Sequence, residues 1–316
     1  MYQLENIIRT ATRSSDDKLN IIVMCDNEED YISALCQTGH NFFLFTEQYH
    51  LSQWKREVKH TPLNLRICRN PLFSFERAYD LIICFNRLGQ WETASGLSRA
   101  WHIPIVTVDI VSNATKLQHP FFANLSIDNP EAMYQRGGIV TVGSSKSITQ
   151  GWTSTSTSVS TTIPIPHNPI ERKVNPRANT KIAVDKDLPE EYIKSLPLAL
   201  TDIRFTTSLS EAAFYLHLWQ TITPKMLEAM ALGIPVVTLK SSDFDIFLEK
   251  GAIIIIENLN SLMQPDIVQQ ILEFDKTQQV IENALSIATE GHSPDKFVQL
   301  WNDVFNYARN SFYLRG

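Results

Sequence analysis

Short apolar runs separated by polar, helix-like stretches recur along this chain, and that alternation constrains its fold more than any other feature. The runs fall at 19–24, 42–45, 65–68, 81–85, 105–108 and 139–142 in the first half, and at 181–184, 203–206, 213–218, 235–239 and 252–256 in the second. Strands buried on both faces read this way, because helices on either side of a parallel sheet leave no face for water. Segments 28–37 and 92–101 read as two of the covering helices. The pattern predicts an α/β chain of two Rossmann-like, doubly wound domains facing each other across a cleft, with ligands at the carboxyl ends of the strands. A polar linker at 167–180, carrying Pro169 and Pro176, marks the boundary. The expected division is 1–166, then 167–294, then a final helix in 295–316 with the apolar set Trp301, Phe305 and Phe312.

At 316 residues, each domain can bury a core of its own. Apolar content of 43% and charged content of 20% describe a globular chain rather than a disordered one. A net charge of -6 gives no global reason to bind nucleic acid. Locally, 55–87 sets Lys55, Arg56, Lys59, Arg66, Arg69, Arg77 and Arg87 against Glu57, Glu76 and Asp80, an excess of four positive charges. Such a face either meets a polyanion such as DNA or is simply solvated. Cys25, Cys36, Cys68 and Cys84 lack metal-ligand spacing and read as reduced core thiols, which points to a cytoplasmic setting. No apolar run is long enough to span a bilayer, so no membrane span is expected.

One segment carries chemistry. From Trp219 to Thr238 the chain reads as loop, helix, turn and buried strand: Thr223 suits the N-cap, Pro224 the first helical position, and Gly233 with Pro235 stops the helix. The loop therefore offers backbone N–H groups at a positive helix end, where an anion or sugar hydroxyls are favoured. Glu228 sits among Met226, Leu227, Ala229, Met230 and Ala231. An unpaired carboxylate in such surroundings costs several kcal/mol, so this reading expects it to be buried and to serve a partner or a ligand.

The run Leu227-Glu-Ala-Met-Ala-Leu-Gly-Ile-Pro-Val-Val237 resembles the nucleotide-sugar site of GT-B glycosyltransferases, particularly the retaining family four, also called glycosyl transferases group 1. The stretches Ile139 to Trp152 and Thr161 to Ile170 are similar to that family's interdomain passage: a strand, a Ser-rich turn, a helix, then a short strand ending near Pro166-His167-Asn168. Short length and few glycine loops look like the phage and viral members.

The resemblance implies an acceptor-side first domain and a nucleotide-sugar-binding second domain, with the final helix 295–316 packing back on the first. It implies transfer of a sugar, with retention, from a UDP- or GDP-linked donor to a hydroxyl on a glycan, a small molecule or a hydroxymethylated DNA base, without metal or cofactor. Glu228 matches the glutamate that binds the donor ribose, the alternative being a carboxylate paired with a neighbouring Arg or Lys. Gln220 stands where the family has its first glutamate, and can hydrogen-bond the sugar without carrying charge. Thr221, Ile222 and Thr223 replace a glycine-rich loop. The family's diphosphate-binding Arg and Lys have no clear counterpart; Lys186 is the best substitute, with Arg172, Lys173, Arg177 and Arg204 behind it, and Lys225 within reach of a phosphate. His217 is either a core histidine or a donor-site residue. Asp109 takes the place of a family histidine, as a base, an acceptor ligand or a cap for the next segment. The rival reading is a GT-B domain without turnover, kept as a scaffold or binding module.

Overall fold

A computed structural model describes residues 8, 17–25, 28–45, 54, 60–68, 78–86, 88–110, 139–155, 159–168, 170, 174–175, 181–185, 194, 204–219 and 221–314. The chain divides into two compact units, one of Met1–Ala114, Ile127–Pro166 and Pro294–Gly316, the other of Thr115–Ser126 and His167–Ser293.

In the first unit the elements run β1 (Asn20–Val23), α1 (Glu29–Cys36), β2 (Asn41–Phe45), β3 (Leu65–Cys68), β4 (Leu81–Phe85), α2 (Leu88–Trp101), β5 (Ile105–Asp109), β6 (Val140–Gly143), α3 (Lys146–Thr155) and β7 (Val159–Thr162). All seven strands are parallel, in the order β3-β2-β1-β4-β5-β6-β7, so the winding reverses between β1 and β4. Alternate residues feed two cores. Ile21, Val23, Ile83 and Val106 point to one side with Tyr31 and Ile32 of α1, while Ile22, Met24, Ile82 and Cys84 point to the other with Ala94 and Leu97 of α2. Two buried faces are why these strands read as unbroken apolar runs rather than as alternation.

The second unit contributes β8 (Lys181–Ala183), β9 (Arg204–Thr206), β10 (Ala212–His217), α4 (Pro224–Ala231), β11 (Val236–Leu239), α5 (Asp245–Glu249), β12 (Ile254–Ile256), α6 (Pro265–Leu272) and α7 (Phe274–Ser286). Its sheet is also parallel, ordered β9-β8-β10-β11-β12, and reverses between β8 and β10. Tyr215 and Val236 face a core shared with Met226, Leu227 and Met230 of α4; Phe214, Leu216 and Val237 face another that includes Ile271 of α6. Helix α8 (Pro294–Leu314) then returns to the first unit, where Phe297, Trp301 and Phe305 join the Tyr31 core. Trp301 donates its indole N–H to the Tyr31 hydroxyl at 3.3 Å.

The predicted strands at 65–68 and 81–85 coincide with β3 and β4, and the others differ by a residue or two at their ends. Strand β7 lies mostly in a Ser/Thr stretch where only its last residues read as strand. It pairs on one side only, with β6, and Val159 is 40% exposed, so an edge strand here needs no apolar run. The four cysteines are free thiols, three of them buried. Among the described residues no helix is long and apolar enough to cross a membrane.

Candidate active site

Strand β10 ends at the point where the second sheet reverses direction, and open α/β sheets bind ligands there, beyond the carboxyl ends of the strands. Helix α4 follows β10 in the chain. Thr223 has extended backbone, and its hydroxyl accepts from the Met226 N–H at 3.2 Å, capping the helix as expected. Pro224 occupies the first turn, where its missing N–H costs nothing. At the other end Gly233 adopts φ +79° and donates to the Met230 carbonyl at 3.1 Å, while Ile234 donates to Ala229 at 2.9 Å. That paired closure requires a left-handed residue, which Gly233 supplies without strain.

Glu228 departs from expectation. Its five flanking residues Met226, Leu227, Ala229, Met230 and Ala231 are buried, yet Glu228 is exposed. Adjacent residues on a helix point about 100° apart, so apolar neighbours in sequence do not enclose a side chain. Glu228 instead shares a narrow outer stripe with Pro224, Lys225 and Leu232. Among the described residues it makes no ion pair, so its carboxylate is open to a ligand. Lys225 is held: its ammonium donates to the Thr207 carbonyl at 2.7 Å.

His217, the last residue of β10, has no exposed surface. Its Nε2–H donates to the Thr221 carbonyl at 2.9 Å, and burial lowers its pKa to about 4, leaving the ring neutral. Its one hydrogen bond therefore goes to the loop that follows the strand. Gln220 and Lys186 lie outside the described residues, as do Arg172, Lys173 and Arg177; Arg204 is exposed on β9.

Two carboxylates that sequence reasoning did not connect lie at the carboxyl ends of buried strands, one in each sheet. Asp109 ends β5 with 1% exposure; its Oδ2 accepts from Trp152 Nε1 at 3.0 Å and from Asn86 Nδ2 at 2.9 Å, and its buried Oδ1 has no partner. Burial outweighs both bonds and raises its pKa to about 6. Asp185 follows β8 at 8% exposure, and its Oδ2 accepts from the Trp219 indole at 3.2 Å, bridging the strands that flank the switch point. The shared signal was visible as an aspartate directly after a buried strand, Val108-Asp109 and Val184-Asp185; the indole partners were not, since they are distant in sequence. Among the described residues no three His, Cys, Asp or Glu side chains gather as metal ligands.

The fold is that of GT-B glycosyltransferases. HepE of Anabaena, solved with UDP and glucose, aligns at TM-score 0.62 with 14% identity over 91% of this chain and 99% of its own. Sucrose-phosphate synthase of Thermosynechococcus elongatus aligns at 0.64 with 12% identity over 92% and 98%. WaaG, a glycosyltransferase involved in lipopolysaccharide biosynthesis, aligns at 0.59 with 12% identity over 91% and 99%. No protein-family model and no curated protein sequence matches the chain.

Proposed function

We propose that this chain is a glycosyltransferase that moves a sugar from a nucleoside-diphosphate sugar, UDP- or GDP-linked, to an acceptor hydroxyl with retention of configuration. The observation that carries the reading is an exposed Glu228, without an ion pair among the described residues, one turn inside a capped helix at the switch point of the second sheet. A carboxylate so placed can accept both ribose hydroxyls, while the loop at 221–223 presents backbone donors at a positive helix end. HepE has been solved with UDP-glucose, which supports a uridine donor as the first to try. Gln220 would touch the sugar, Lys225 and Lys186 would meet phosphate, and the charge on the leaving diphosphate would be met by protein donors without metal or cofactor. The acceptor hydroxyl belongs to a glycan, a small molecule or a modified DNA base; of the basic stretch that points to DNA, only Arg66 and Asp80 are among the described residues, and Asp80 is buried.

A second reading, a binding module without turnover, draws on Asp185. It sets a buried carboxylate directly after β8, the first strand of the second unit, while the arginine and lysine that the resemblance leads one to expect for the diphosphate have no clear counterpart. Thermal-shift titration separates the readings. A nucleotide at 100 times its dissociation constant adds about 2.7 kcal/mol of stability. A shift with UDP or GDP species that disappears in Glu228→Ala, together with release of UDP or GDP in the presence of acceptor hydroxyls, supports transfer; a flat response to every nucleotide removes it.

A further inference from the structure

We propose that His217 is a positioning residue that aims the Ile222 N–H at an anionic group of the donor. This rests on the glycosyltransferase reading and goes beyond it by naming how a loop without glycine is shaped. The ring is sealed from solvent, wedged between Tyr215 and Phe244 with ring centroids 5.8 and 5.6 Å away. Its Nε2–H holds the Thr221 carbonyl at 2.9 Å, and its Nδ1 is buried without a hydrogen bond, so the proton resides on Nε2. The peptide joining Thr221 to Ile222 is planar and trans, so its C=O and N–H point in opposite directions. Turning the Thr221 carbonyl inward to His217 therefore turns the Ile222 N–H away from the core. Among the described residues that N–H has no partner, while Ile222 itself is only partly buried. The turn is tied down further by Trp219, whose indole reaches Asp185, and by Thr223, which caps α4. A glycine-rich loop gains donors by flexibility; here a buried imidazole fixes one donor in advance, which suits stabilisation of developing negative charge.

The test compares His217→Phe, His217→Asn and His217→Gln by amide hydrogen exchange and by affinity for UDP and GDP. His217→Phe removes the donor and His217→Asn is too short to reach, so both should speed exchange at 221–223 and weaken nucleotide binding roughly ten-fold, the loss expected for one hydrogen bond. His217→Gln carries an amide N–H of similar reach and should stay within about three-fold of wild type. If His217→Phe does not fold, the Asn and Gln pair decides. Wild-type exchange and affinity in the Asn variant, or a Gln variant as loose as Asn, overturns the positioning role alone. If the wild-type protein takes neither UDP nor GDP, the anion role falls together with the reading it rests on.

Discussion

Trp152 donates its indole N–H to Oδ2 of Asp109 at 3.0 Å, fixing a buried carboxyl whose second oxygen has no hydrogen bond. The folded pKa of about 6 lies above the ordinary 3.8 because desolvation exceeds the help from Trp152 and Asn86. The neutral form is thus favoured on folding, and its contribution is complete below about pH 4 and lost as pH rises through 6. That shift corresponds to roughly 3 kcal/mol. Asp109→Asn keeps an oxygen for both donors and cannot ionise. Denaturant midpoints from pH 4 to 7 should fall for wild type relative to Asp109→Asn; parallel profiles would refute the buried acid.

On the proposed reading, Glu228 serves binding and adds little to stability. It is exposed and makes no ion pair among the described residues. Glu228→Gln should leave the unfolding free energy within about 0.5 kcal/mol of wild type. Nucleotide-induced stabilisation should vanish in the same variant. A variant that unfolds early, or that is stabilised by UDP as before, assigns the carboxylate a different role.

Thr223 is bound into the helix start by its hydroxyl. Thr223→Ala should cost about 1 kcal/mol, and Thr223→Ser should recover most of it. Chemical denaturation measures both, and equal stability of the Ala variant would show that the cap carries no weight.

Gly143 ends β6 where α3 comes close. A Cβ there would lie 2.6 Å from the Thr149 hydroxyl oxygen and 3.0 Å from its backbone nitrogen. Since backbone cannot give way as a flexible side chain can, Gly143→Ala should cost about 1–3 kcal/mol. A stable Ala variant would mean that α3 shifts freely on the sheet.

Much of the fold was legible because both faces of each central strand are covered, which makes burial visible as an apolar run. The turn around α4 was legible for another reason: Thr223, Pro224 and Gly233 each do one local job that sequence position reveals. What escaped was the third dimension of the same segment. Glu228 looked enclosed because its neighbours are apolar, but those neighbours face Tyr215 and Phe247 while it faces out. His217 looked like a ligand contact or a core residue, and the structure makes it a buried residue that grips its own loop. Asp109 and Asp185 could be seen as strand-end carboxylates, while pairing each with an indole depended on long-range topology.

Helix α8 follows the second unit in the chain but supplies Phe297, Trp301 and Phe305 to the core of the first. The second unit is thereby an insertion within the first, and no single proteolytic cut separates two intact cores. A fragment ending near residue 166 lacks the aromatic wedge over Tyr31, so co-expressing it with a peptide carrying α8 is the way to recover the first unit alone.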